Sequence, residues 1–253
     1  MRKLRVKRNS YGVPILTKEE IDILGERLIY DFCPEAMKKP QAIDVDLFAQ
    51  DYLGMEQDYQ YLSHCGLYLG MMVFQDADNI IVFNPEKKEA EYIHADAGTI
   101  IIDTSLLEVG QEKRYRFTMG HEAAGHAVLH GPYFSQRIES LSLFDKEEPL
   151  IQCRTDVNQI ELKRSSSWTN RDWMEWQANA MAAAFLMPRS MVRKTIKDIN
   201  LSNSNLKSRD AHYVKRVSDI FDVSIAAAIC RLKDLKEISG SFSYRDMRTI
   251  ENQ

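Results

Sequence analysis

The sequence predicts an α+β fold, a small antiparallel sheet with helices before and after it. Two observations carry this reading. Short apolar runs separated by Asp, Asn, Pro and Gly crowd residues 70–103, the texture of short strands. Elsewhere apolar residues recur at helical spacing between start and stop signals. With 253 residues, 44% hydrophobic and 28% charged, the chain can bury a sizeable core in one or two domains, which excludes fibrous, low-complexity and wholly disordered classes.

The first ten residues carry a net charge of +5 and read as a solvated, mobile arm. Thr17-Lys-Glu-Glu20 is a capping box, and Ile21, Leu24, Leu28 and Phe32 extend it into a helix that Pro34 stops. A second short helix runs from Asp44 to Leu53 and ends at Gly54. The strands are expected around Met71–Phe74, Ile80–Phe83, Tyr92–Ile93 and Thr99–Ile102. Helix returns over Arg114–His130, with Gly131-Pro132 as its expected end. Residues 133–168 show no sustained period, and such a stretch reads as a lid or substrate-binding flap. Helices follow over about 171–186, after Pro188, and across about 209–238.

Composition narrows the function. Net charge is −4, with −13 over residues 11–170 and +4 over 171–253, which disfavours a nucleic-acid protein as a whole. No run approaches the roughly 18 apolar residues of a membrane span. No apolar run follows the basic start, so no secretory signal is read there. Cys33, Cys65, Cys153 and Cys230 lie far apart, which argues against a disulfide framework and for a reducing, cytoplasmic location.

The chemistry concentrates in Arg116-Phe-Thr-Met-Gly-His121-Glu122-Ala-Ala-Gly-His126-Ala-Val-Leu-His130. Two histidines around an adjacent glutamate suit a hydrolytic zinc site, the imidazoles binding metal and the carboxylate serving as base. The spacing is unusual. His121 and His126 are i, i+5, about 140° apart on a regular helix. They share one ion only if the helix widens locally, as a π-bulge does, and Ala123-Ala124-Gly125 is small enough to permit it. On an unwidened helix Glu122, His126 and His130 form a rival stripe; the widened form is preferred because it leaves Glu122 free as general base. A third ligand is offered by Glu175, on a stripe with Ala178, Asn179 and Ala182 whose small residues let another helix approach.

Together these segments resemble the ImmA/IrrE family of zinc metallopeptidases. Arg116, Phe117, Thr118, His121 and Glu122 match the opening of its Arg-Phe-Thr-x-x-His-Glu-x-x-His hallmark, with one extra residue before His126. Glu175, Ala178, Asn179, Ala182, Leu186, Met187 and Pro188 match its second hallmark. The six-residue His121-Glu-Ala-Ala-Gly-His126 form is similar to the motif of dipeptidyl peptidase III. Residues 43–54, 99–103 and 217–232 are similar to the flanking parts of the ImmA/IrrE proteins.

The resemblance implies a zincin-like, gluzincin-type core with a small antiparallel sheet, two active-site helices and a helical C-terminal subdomain. It divides the chain into an arm (1–16), a metallopeptidase domain (17–200, with 133–168 as an irregular insert) and a helix-turn-helix-like C-terminal subdomain (201–253). Carried over by position, His121, His126 and Glu175 bind one Zn2+ and Glu122 is the general base. The implied activity is endoproteolysis of a helix-turn-helix repressor in the cytoplasm, releasing stress-response or mobile-element genes. Arg116, His130 and Tyr115 are the candidates for an oxyanion donor, with His130 favoured instead as a helix-end cation. Two alternatives stand beside this: a DNA-binding regulator using the corner at Phe221–Ser224, and a metal-free relative that only sequesters a repressor. Direct nucleic-acid binding ranks below a protein substrate, because Ser224–Arg231 has almost no side chains able to reach base edges.

Overall fold

The computed structural model describes residues 6–140, 150–154, 168–197, 199 and 206–251. The chain divides into two compact units, Met1–Ile21 with Val45–Ala182, and Asp22–Asp44 with Ala183–Gln253.

In the first unit, residues 8–14 fold back on themselves. Asn9 Oδ1 accepts from the Tyr11 and Val13 amides, Arg8 bridges Pro14 in antiparallel fashion, and Val13 is buried against Tyr133, Phe134 and Met174. Residues 1–5 of the expected arm lie outside the described residues. The capping box opens helix α1 (Lys18–Phe32) as the sequence predicts. The Thr17 amide donates to Glu20 Oε2 (2.8 Å), and the Glu20 amide donates to Thr17 Oγ1 (3.2 Å). Helix α2 (Val45–Leu47) runs into a π-helical turn, Phe48–Tyr52, and Gly54 closes it with φ +68°.

The sheet is mixed, which corrects the wholly antiparallel expectation. Strands β1 (Glu56–Gln60), β2 (Tyr68–Val73), β5 (Thr99–Asp103) and β6 (Leu150–Arg154) form one sheet in the order β1-β5-β2-β6. Its β1–β5 pairing is parallel, with Asp58 opposite Ile101. The other two pairings are antiparallel, with Met71 of β2 opposite Ile101 and Gln152. Strands β3 (Ala77–Asn84) and β4 (Glu89–Ala95) make a separate hairpin, Ile81 facing Tyr92. Pleating alternates the faces of β2. Met71 and Val73 join Leu62, Ile80, Val82 and Ile101 in one apolar cluster, while Gly70 faces the helix that carries the histidines.

That helix begins as α3 (Glu112–Gly120), continues through His121–His130, and runs on as α4 (Gly131–Ser140). The expected stop at Gly131-Pro132 does not occur. Proline lacks an N–H, and Pro132 falls where i→i+5 bonding gives way to i→i+4, a change that leaves a carbonyl without a donor in any case. The stretch 133–168 is therefore not wholly irregular, since it contains the rest of α4 and strand β6. Residues 141–149 and 155–167, where a lid or flap was expected, lie outside the described residues. Helix α5 (Asn170–Leu186) supplies the facing wall of the site.

The second unit is helical among its described residues. It comprises most of α1, the end of α5, α6 (Arg189–Lys197), α7 (Leu206–Phe221), α8 (Ile225–Asp234) and α9 (Tyr244–Glu251). Its core is Leu28, Ile29, Phe185, Val192, Val214, Phe221 and Leu232. Gly25 sits so close to Ala184 that a Cβ there would lie 3.0 Å from the alanine methyl. The buried Arg231 guanidinium joins α8 to Asp22 (2.6 Å) and donates to the Met187 carbonyl at the end of α5 (3.0 Å). No helix among the described residues is long and apolar enough to cross a membrane.

Candidate metal centre

Whether His121 and His126 meet depends on the backbone between them. It widens as the spacing required: His121–His130 is π-helical, and the Gly131 N–H donates to the His126 carbonyl, an i→i+5 bond. Residues five apart then share a face, and the two Nε2 atoms approach to 3.0 Å.

Helix α5 brings the third group. A reciprocal cap starts it: the Thr169 amide donates to Asp172 Oδ2 and the Asp172 amide to Thr169 Oγ1. The two helices then cross at Gly125 and Ala178. A Cβ on Gly125 would lie 2.7 Å from both the Ala178 Cα and Cβ, closer than any side chain tolerates. This small-residue crossing sets Glu175, one turn before Ala178, over the histidines. Its Oε2 lies 3.4 Å from His121 Nε2 and its Oε1 3.7 Å from His126 Nε2.

His121, His126 and Glu175 are thus a buried group whose ligand atoms all lie within 4.8 Å of one another, and it can hold a metal ion. The chemistry of the donors fits. His121 Nδ1 lies 2.9 Å from Asn179 Oδ1, a carbonyl oxygen that only accepts, so Nδ1 donates and Nε2 is left bare. The Glu175 carboxyl and two imidazole nitrogens converge on one point, a donor set that suits a cation. Ligands at ~2.05 Å around a tetrahedral ion stand about 3.3 Å apart. The observed 3.0, 3.4 and 3.7 Å separations bracket that value. The arrangement is consistent with a zincin-like metal site.

The rival stripe does not converge. His130 lies behind His126, its Nδ1 3.0 Å from His126 Nδ1, on the side away from Glu175's contact with Nε2. His130 is also not a helix-end cation, because the helix continues to Ser140. It is fully buried, and burial first, then the neighbouring His126, holds its imidazole far below the ordinary histidine range, hence neutral. Of the other oxyanion candidates, Tyr115 gives its hydroxyl to Asp46 and meets Tyr59 Oη at 3.3 Å.

Glu122 is fully buried beside His121, and neither carboxylate oxygen has a hydrogen-bond partner among the described residues. Burial pushes its carboxyl up to about 8, with His121 opposing and Glu175 adding to the rise. The space it occupies exists because β2 carries glycine at position 70, where a Cβ would come within 2.8 Å of Glu122 Oε1. Asn179 and Gln177 were not assigned roles from the sequence. Asn179 could have been found from its place four residues on, on the helix face that presents Glu175, whereas Gln177, two residues on, lies on another face and carried no such signal.

No family model matches the chain, and no curated protein matches it.

Proposed function

We propose that this protein is a zinc-dependent endopeptidase, with His121, His126 and Glu175 holding one Zn2+ and Glu122 acting as general base. The observation that carries the reading is a buried His-His-Glu group with a fully buried carboxylate directly beside it that has no hydrogen-bond partner among the described residues. A buried acid without a hydrogen-bond partner costs free energy, and such costs are retained where the group does chemistry.

A bound zinc supplies a Lewis acid that polarises a scissile carbonyl and draws the pKa of water toward ~7. The chain's own residues do the rest. Glu122 takes the proton of the attacking water and delivers it to the departing amine, so one carboxyl serves both halves of the hydrolysis. Gly70 keeps the room in which that carboxyl turns. Asn179 holds His121 with its Nε2 toward the centre.

The substrate we propose is a helix-turn-helix repressor, and the setting is the cytoplasm. Support for both is the resemblance of residues 116–126 and 175–188 to the ImmA/IrrE metallopeptidases. The test is metal analysis together with incubation against helix-turn-helix proteins encoded beside its gene. About one equivalent of zinc is expected, lost in His121→Ala, His126→Ala and Glu175→Ala but kept in Glu122→Gln. Cleavage abolished by a chelator and by Glu122→Gln supports the proposal. Tight zinc binding that survives His126→Ala refutes the ligand set, and a stable uncleaved complex favours sequestration.

A further inference from the structure

A buried polar chain that the proposed chemistry does not use leads to His126. Gln177 Nε2 lies 2.7 Å from the Pro14 carbonyl, Gln177 Oε1 3.1 Å from His130 Nε2, and His130 Nδ1 3.0 Å from His126 Nδ1. All three side chains are essentially inaccessible, Gln177 at 1% and both histidines at 0%. We infer that Gln177 and His130 are positioning residues: a relay starting at the Pro14 backbone carbonyl decides which nitrogen of His126 is free to bind the metal. The inference rests on the metal site proposed above.

The direction of every link follows from the first. A backbone carbonyl only accepts, so the Gln177 amide must give it an N–H. The amide oxygen is thereby turned to His130, and it too only accepts, so His130 Nε2 carries the proton and donates. A neutral imidazole has one N–H, which leaves His130 Nδ1 bare. His126 Nδ1–H then donates to it, and His126 Nε2 is left with a free lone pair facing His121 and Glu175. Reversing the chain would set two carbonyl oxygens 2.7 Å apart at Pro14 and turn an N–H of His126 into the centre, where it could ligate nothing.

The anchor is fixed independently of the site. Val13 is buried against Tyr133, Phe134 and Met174, Asn9 Oδ1 accepts from two amides of the same turn, and Asn9 Nδ2 donates to Asn170 Oδ1 at the start of α5 (3.0 Å). A ligand histidine whose other nitrogen is held binds metal better, and loss of such a partner typically costs 10–100-fold in affinity. His121 is held separately by Asn179, so the relay governs His126 alone.

The experiment uses the full chain and measures zinc affinity by competition with a chromophoric chelator, the visible spectrum with cobalt(II), and the histidine ¹⁵N shifts of metal-free protein at pH 8. His130→Leu and Gln177→Leu are expected to weaken zinc 10–100-fold. The double variant should lose no more than the worse single one, because the links act in series. His130→Asn should stay within a few-fold of wild type, since its Oδ1 accepts in place of Nδ1. Affinities in the leucine variants equal to wild type overturn the relay, as does His130→Asn behaving like His130→Leu. Should the leucine variants not fold, the wild-type spectrum decides: a proton on His126 Nδ1 is expected, and one on Nε2 overturns the proposal. Wild-type protein that takes up no zinc refutes the metal site itself and the relay with it, whereas zinc-loaded wild type with indifferent variants refutes only the relay.

Discussion

Replacing Gly125 with alanine isolates what the helix crossing does. The added Cβ would stand 2.7 Å from the Ala178 Cα and Cβ and 3.0 Å from its carbonyl oxygen, where ordinary contact begins at 3.4 Å. Two of these neighbours are backbone atoms, so the clash is not relieved by a rotamer change, and the helices must part by about 0.7 Å, the difference between 2.7 and 3.4 Å. Glu175 moves with Ala178. Metal bonds tolerate about ±0.2 Å, so a shift of that size breaks or badly bends the third ligand bond. Two stability effects oppose each other. Alanine in a helix gains about 0.5–1 kcal/mol over glycine, whereas overpacking costs about 1–3 kcal/mol. At about 2–4 °C per kcal/mol for a chain of this size, the melting temperature of metal-free protein should fall by about 10 °C at most. Zinc affinity should fall by at least 10-fold, so the metal-induced rise in melting temperature should shrink far more than the metal-free value does. Chelator competition and paired melts with and without zinc measure both. If Gly125→Ala keeps wild-type affinity, the close approach at Ala178 does not position Glu175.

Three further outcomes follow from the same geometry. Glu122 is raised from 4.5 to about 8 in the fold, so its contribution to stability is complete below pH 4.5 and is lost as pH rises to about 8, at about 1.4 kcal/mol per pH unit; chelated Glu122→Gln should therefore out-melt chelated wild type by a margin that grows between pH 5 and 8, and parallel melts with no such divergence contradict it. Arg231→Met strands Asp22 without its buried partner and should cost about 3–5 kcal/mol, read by denaturant unfolding, while Asp22→Leu with Arg231→Met should recover most of it. On the hairpin, His94 sits between Asp96 and Asp78 and is raised by their hydrogen bonds. Its pairing is fully present below pH 6.5 and lost as pH climbs through the raised midpoint, so Asp78→Asn should move the His94 NMR titration to lower pH.

Much of this was legible in the residues. The Thr17–Glu20 cap, the apolar runs that became β2, β3, β4 and β5, and the stripe that sets Glu175 beside Ala178 act over one or two turns, and local signals report local physics. Strand β1 was missed because Glu-Gln-Asp-Tyr-Gln has no apolar alternation, its place being set by backbone pairing with β5 at a sheet edge. The relay to His126 was illegible for another reason. Gln177 and Pro14 are separated by 163 residues, and nothing in either neighbourhood anticipates the other. His130 was misread because its environment, not its position in the motif, decides its charge.

The five-residue spacing of His121 and His126 and the glycine between them have one explanation. On a regular helix residue i+4 is about 40° from residue i, so a histidine at 125 would face the same way as His121. Widening the turn brings two residues, 125 and 126, to the side that a regular helix offers to one. His126 takes the half that points at His121 and Glu175. Residue 125 takes the half that meets the backbone of α5, and only a residue without a Cβ fits there. The five-residue spacing therefore separates two demands, convergence with Glu175 and helix approach, that a four-residue spacing would place on a single position, and Gly125 is what lets both be met.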